Sequence, residues 1–520
     1  MKKAPRTLII AIVAFIIVLV VLWIGNLILS KVVEKELQKN KNLFGYAFDF
    51  ETVDVNVFNR NIAISGISAH DSIQTNKISA ERIELKRLHL LAALFNKTFT
   101  FGKVLICNPD IRLLSAKTDS TAKSTNQKQQ GNMPEINIDQ IEIKNARLLV
   151  YDSINSVTDT VLNTGFNVII NNISNSNNNI KYKIKAWHFE SVLAKFENTN
   201  YLLPNRLYKL QAQNFWFDTD LLEAQLDSVS FKSEYGKYEI ADITGHETDW
   251  FDILATKIVL KNIQLDAMIR DTAFIVSHIE IPEIKMEVFR DKRPPFPDKP
   301  DTKLPTELID GLPFGFQIDS VILKNTNITY QERRENVEEP GTVSFNNLEA
   351  KLTNIGNRPS LIKGKTIIET TTNVMNDALL SISFYFPNKK YPIKYSTSGH
   401  LNAMPMKPFT SMFRSSANTD LSSGNIMEMD FDFEYDEINS HGNLRFTYSD
   451  LHISVFNPES GEAKKINSFL INTFVLRDQN PDKNGDLKQG EIEFERDKKK
   501  SIFNYWWKSL MSGIKDVVTP

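Results

Sequence analysis

The chain has 520 residues, enough for roughly three or four domains of ordinary size or for one long repetitive one. Its 61 Lys and Arg nearly balance its 63 Asp and Glu, and a net charge of −2 lacks the basic footprint of a nucleic-acid binder. A single cysteine, Cys107, excludes an intrachain disulfide and any zinc or iron–sulfur centre built from cysteines within one chain.

Residues 1–6 read as a short tail and 7–29 as a transmembrane anchor. Leu8 to Ile24 is an unbroken run of 17 uncharged, mostly aliphatic residues. Thr7 to Leu29 as a helix would span roughly 35 Å, enough to cross a hydrocarbon core of about 30 Å. A cleaved signal peptide has a shorter apolar region and a small-x-small exit. Here the run continues into Ser30-Lys31-Val32-Val33-Glu34 instead. Lys2, Lys3 and Arg6 on one side face Lys31, Lys35, Lys39 and Lys41 on the other, so charge alone does not orient the anchor.

From Tyr46 onward the apolar period is mostly two, which predicts strands. In a first β unit, 30–115, Phe48 and Phe50 precede Val53, Val55 and Val57 with a slip of phase that suggests a bulge. A short helical period spans Leu88 to Phe95. Residues 116–134, rich in Ser, Thr, Lys and Gln, form a flexible linker or long loop. A central groove, 135–290, opens on Ile136, Ile138, Ile141 and Ile143, again with a slip. Six prolines make 291–313 an extended crossing, with a second short helical period near Thr306 to Leu312. A C-terminal groove, 314–497, begins with a phrase that repeats an earlier one. Ile136-Asn-Ile138-Asp-Gln-Ile141-Glu-Ile143-Lys-Asn145 reappears as Phe316-Gln-Ile318-Asp-Ser-Val321-Ile-Leu323-Lys-Asn325, and such repetition marks an array that adds units along an axis.

The clearest alternation runs from Met427 to Asp436. Met427, Met429, Phe431, Phe433 and Tyr435 share one face, and carboxylates such as Asp430 and Asp432 share the other. So few helices cannot cover so many apolar faces, so the faces must meet one another or line a curled sheet filled by something apolar. The fold expected is mostly β: a transmembrane helix, then mainly antiparallel strands with few helices, closed as a sandwich or barrel or forming an elongated, curled β-sheet groove. Residues 498–520 close the chain as an amphipathic helix, in which Phe503, Trp506, Trp507, Leu510 and Ile514 share a face flanked by lysines. That face suits a membrane interface, a protein partner, or a cap on the last strands.

With these features the chain resembles the AsmA-like family of bacterial envelope proteins. The likeness rests on the anchor and on Phe50-Glu-Thr-Val-Asp-Val-Asn-Val57 with Ile62-Ala-Ile-Ser-Gly-Ile67. It rests also on Ile279-Glu-Ile-Pro282-Glu-Ile-Lys-Met-Glu-Val288 before Arg290-Asp-Lys-Arg293-Pro-Pro, and on the ending Arg496 to Lys508. It implies a single-pass bacterial inner-membrane protein, N-terminus in, with its bulk in the periplasm. The groove would bind phospholipid acyl chains for transport between the envelope membranes or for outer-membrane biogenesis, with an outer-membrane or protein partner at the C-terminus. Neither catalytic residues nor a cofactor come with it. The competing expectation is a membrane-tethered β-sandwich binding or scaffold protein with closed cores.

Nothing in the motifs points to an enzyme. The eight histidines show no His-x-x-x-His spacing, and Gly364-Lys365-Thr366 lacks the earlier glycine of a phosphate loop, Pro359 standing in its place. No metal site is expected, but Asn480-Pro-Asp482-Lys-Asn484-Gly485-Asp486 to Glu491 has the ligand spacing of a calcium loop. The same residues also read as a turn between strands.

Overall fold

The computed structural model describes residues 27, 30–35, 37–38, 42–43, 46–71, 75–89, 98–115, 135–154, 157–177, 179–335, 337, 339–390, 394–417, 419–456, 463–464 and 476–520. Strand accounts for 60% of the described residues and helix for 13%, so sheet faces far outnumber the helices that could cover them. The chain divides into two compact units, Met1–Leu202 with Gln211–Leu221, and Leu203–Leu210 with Leu222–Pro520. That division falls inside the stretch read from the sequence as one central groove.

In the first unit the strands β1 (Thr52–Asn56), β2 (Asn61–Asp71), β3 (Lys77–Lys86), β4 (Lys103–Cys107), β5 (Asp110–Leu114), β6 (Glu135–Ile154), β7 (Val157–Ser174) and β8 (Ser191–Phe196) carry the architecture. β-Branched residues at period two put one apolar column on each strand, and hydrogen-bonded register aligns the columns. One row runs through Val53, Ile64, Ile83, Ile106, Ile143 and Val168, ending on Ala194.

The second unit begins with β9 (Glu223–Ser233), β10 (Asp249–Ile263), β11 (Ala273–Ile281) and β12 (Glu283–Asp291). After α1 (Pro305–Asp310) come β13 (Gly315–Arg333), β14 (Gly341–Gly356), β15 (Thr366–Val374), β16 (Ala378–Phe386) and β17 (Tyr395–Leu401). The unit ends with β18 (Thr419–Tyr435), β19 (Asn439–Phe456), β20 (Gln489–Glu495) and α2 (Ile502–Val518). Its apolar row joins Leu260, Ile279, Val321, Leu352, Ile368 and Phe384. One residue further along, Glu280, Ile322, Lys351, Glu369 and Ser383 form a mostly polar row on the reverse face.

One arrangement occurs in both units. β4 and β5 lie end to end against β6, and β11 and β12 lie end to end against β13, all parallel to the long strand. Pro109 and Pro282 fall at the two joints, where a residue without an N–H ends one ladder before the next begins. The long strands then pair antiparallel with β7 and β14. The sheet is therefore mixed at these two places, while most of the described pairings are antiparallel, as the sequence reading expected. Parallel neighbours need a crossover, and the two crossovers are the two segments that break the strand pattern in the sequence. The first, 116–134, lies outside the described residues. The repeated Lys-Asn is also explained: Asn145 and Asn325 both adopt left-handed backbone, φ 52° and 41°, at register shifts of β6 and β13.

The Pro-rich crossing is held at several points. The Pro295 carbonyl accepts from the Glu247 amide, Thr302 N–H donates to the Lys498 carbonyl at 2.7 Å, and Leu304 is fully buried in the C-terminal core. Asn357 Nδ2 then donates to the Ile309 and Phe314 carbonyls at 3.1 and 3.0 Å. The helical period near Thr306 is α1. That of Leu88 to Phe95 lies outside the described residues except Leu88 and His89, which are not helical. The slip after Phe50 is a break between Tyr46–Asp49 and β1, not a bulge within one strand. No helix among the described residues is long and apolar enough to cross a membrane, and of Thr7 to Leu29 only Leu27 is described.

Candidate functional site

The two apolar rows are the surfaces on which a function can be built. In the first, Ile64, Ile83, Ile106, Ile143 and Val168 are half-buried; in the second, so are Leu260, Ile279, Val321, Leu352 and Ile368. None of these side chains reaches the burial of a core, although Ile368, like Phe384 beyond it, packs against the C-terminal core. A shallow depression of about 360 Å³ lies elsewhere, lined mainly by reverse-face residues such as Lys324, Glu349, Lys351 and Glu369.

Toward the C-terminus the apolar face is closed. Met429, Phe431, Phe433 and Tyr435 are all buried, together with Leu444, Phe446 and Ile492, under α2. A lumen lined by those four side chains is thus replaced by a packed protein core. Met427 departs from the set altogether. A register shift of β18 against β19 between Ile426 and Glu428 turns it away, and it is 57% exposed while Met429 is 6% exposed.

The helix α2 starts where Ser501, its N-cap, accepts from the Asn504 amide at 3.4 Å. Its deeply buried stripe is Tyr505, Ser509, Gly513 and Val517, one turn apart, so the face expected from the sequence is rotated. Trp506, Leu510 and Ile514 flank that stripe and pack against the core, with the Trp506 ring 4.4 Å from that of Phe384. Only Phe503 and Trp507 of the five expected contact residues are exposed, at 72% and 46%. Gly513 is required by close approach, since a Cβ there would fall 2.8 Å from the Ile492 side chain.

On the reverse face the register of β17 and β18 sets His400 opposite Asp430, and His400 Nδ1 lies 2.7 Å from Asp430 Oδ1. Glu428 completes a group whose three ligand atoms lie within 4.8 Å of one another. Arg445 Nη1, however, sits 3.0 Å from Glu428 and 3.3 Å from Asp430, so these carboxylates already neutralise a cation. The hydrogen bond that the His400 ring donates to the Asp430 carboxylate, with some opposing desolvation, raises the His400 pKa. Spacing along the chain shows only the Glu428 and Asp430 pair, because His400 and Arg445 meet these carboxylates across strands.

In the loop with calcium-site spacing, Asn480 is buried. Its Oδ1 accepts from the Lys488 amide at 2.9 Å, and its Nδ2 donates to the Phe446 and Lys488 carbonyls at 2.7 and 2.8 Å. Asp482 Oδ1 accepts from the Asn484 and Asp486 amides. Position 1 of the motif is therefore spent on anchoring a turn. The Arg290 to Arg293 phrase is likewise structural: Arg290 holds Asp249 with two hydrogen bonds, Arg293 holds Asp291, and Lys292 pairs with Glu332. No protein-family model matches the chain, and no curated protein matches it.

Proposed function

We propose that the chain is a membrane-anchored, AsmA-like protein of the bacterial envelope, with its bulk in the periplasm. It carries phospholipid acyl chains on its apolar sheet faces, for transport between the envelope membranes or for outer-membrane biogenesis, and catalyses no reaction. The observation that carries this reading is the pair of transverse rows of Ile, Val and Leu, half-buried and crossing strand after strand. At about 25 cal/mol per Å², or about 0.8 kcal/mol for each buried CH₂, an acyl chain laid along such a row gains what neither it nor the row obtains from water. The 17-residue apolar run near the N-terminus supports the anchor, and exposed Phe503 and Trp507 beside Lys508 support a contact with a membrane or protein partner at the C-terminal end.

A second reading, a tethered binding or scaffold protein with closed cores, is favoured by the packed core beneath α2. The two separate by photocrosslinking in cells. A benzophenone side chain at Val321 or Leu352 should yield phospholipid adducts by mass spectrometry, whereas at Glu369 or Met427 it should not. Absence of lipid adducts at both row positions would leave the scaffold reading.

A further inference from the structure

Five of the eleven buried side-chain polar atoms that lack a hydrogen-bond partner among the described residues belong to neighbouring groups under α2. They are Thr397 Oγ1, Tyr435 Oη, Arg496 Nε, Tyr505 Oη and Trp506 Nε1. The Tyr435 ring centre is 5.6 Å from that of Tyr505 and 6.4 Å from that of Trp506, and the Arg496 guanidinium is 5.8 Å from the Tyr505 ring centre. Thr397 is paired across strands with Phe433, one step from Tyr435. Trp506 Nε1 faces the Tyr435 hydroxyl, and Tyr505 Oη approaches Ser440 and the Asp436 backbone, without closing a bond of acceptable geometry.

All five can donate a hydrogen bond, and none is a carboxylate. Arg496 is 7% exposed, yet no carboxylate among the described residues lies within 4.0 Å of its guanidinium. Among the described residues its one side-chain hydrogen bond goes to the Thr302 carbonyl of the crossing. Asp436, whose charge acts on Tyr505, accepts instead from the Ile438 and Asn439 amides. A buried cation among unused donors costs stability unless an oxyanion arrives to accept from them. The cluster also adjoins the apolar row, since Trp506 lies on Phe384.

The geometry points to an oxyanion site at the α2 end of the second unit's apolar row, where Arg496, Tyr435, Tyr505 and Trp506 hold the phosphate of an amphiphile whose chains lie on that row. Thr302 and Thr306, the latter in contact with the Tyr395 hydroxyl, lie on the crossing that covers the cluster, so the crossing is the element that must yield for the headgroup to enter. This rests on the lipid-carrying reading above and assigns a headgroup class to it.

The test uses the full chain held in amphipol and titrated calorimetrically with dihexanoyl phosphatidic acid, dihexanoylglycerol and inorganic phosphate. Arg496→Gln removes the charge. The double variant Tyr435→Phe, Tyr505→Phe keeps both rings and removes only hydroxyls, so it folds even if the first does not. Phosphatidate binding should weaken at least about tenfold in the variants, with dihexanoylglycerol unaffected. Phosphate alone binding with the same dependence would support the site with a free anion as its occupant, and if neither lipid bound, the lipid-carrying reading would fall while the site stood. Phosphatidate that binds no better than dihexanoylglycerol, or equally well to the tyrosine double variant, would overturn the site and leave acyl binding intact. Failure of all three probes to bind would overturn both.

Discussion

Two methionines two residues apart on one strand have opposite surroundings, and their substitution is the most direct check on the register of β18. Met429→Ala empties a packed position and should cost about 2 to 5 kcal/mol in chemical denaturation. Met427→Ala should stay within about 0.5 kcal/mol, because its side chain is largely in water. Had the alternation continued unbroken, both would be costly. The polar face offers a second check at His400. Its pKa is raised above the usual 6.5 by Asp430. The resulting stabilisation is fully present below pH 6.5 and is lost as pH rises through the folded-state value. Wild type should therefore lose its advantage in melting temperature over His400→Gln across that interval, and NMR titration of the ring should give a midpoint above 6.5. A flat difference between the two proteins would count against the pairing.

At the scale of elements, α2 divides its apolar residues between the core and the solvent. Trp506→Glu should destabilise strongly, since it buries a charge beside Phe384 and Tyr435 and removes a large packed ring. Trp507→Glu should leave the melting temperature nearly unchanged and, with Phe503→Glu, should abolish binding to anionic vesicles if this rim contacts a membrane. The crossing is open to the same logic. Leu304 is fully buried in the C-terminal core, so Leu304→Ala should cost about 2 to 5 kcal/mol even though it lies in a segment that is mostly proline and charge. A loss below about 0.5 kcal/mol would show that the crossing does not dock there.

At the scale of the molecule, the two compact units each carry their own long strand, parallel pair and apolar row. Domains generally unfold as units. Calorimetry of the full chain should therefore resolve two transitions, and Leu444→Ala, in the core of the second unit, should lower one and leave the other in place. A single transition that moves as a whole would mean that the units unfold together.

The strand character of the chain, the Pro-rich crossing and the repeated Lys-Asn phrase were legible in the sequence because each depends on local physics. Period two aims side chains to one face, proline withholds an amide, and asparagine tolerates left-handed backbone. The final helix could also be located, since its start needs only Ser501 and a change of period. Which face of that helix is buried depended on Gly513 approaching Ile492 closely, a contact between positions 21 residues apart. The fate of Met427 depended on how β18 pairs with β19, and that of His400 on a partner one strand away. The sequence by itself thus determined the elements and the apolar columns they carry. Only the tertiary structure decided which columns are packed as core and which remain half-buried, because register, bulges and the docking of α2 arise between residues distant in the chain.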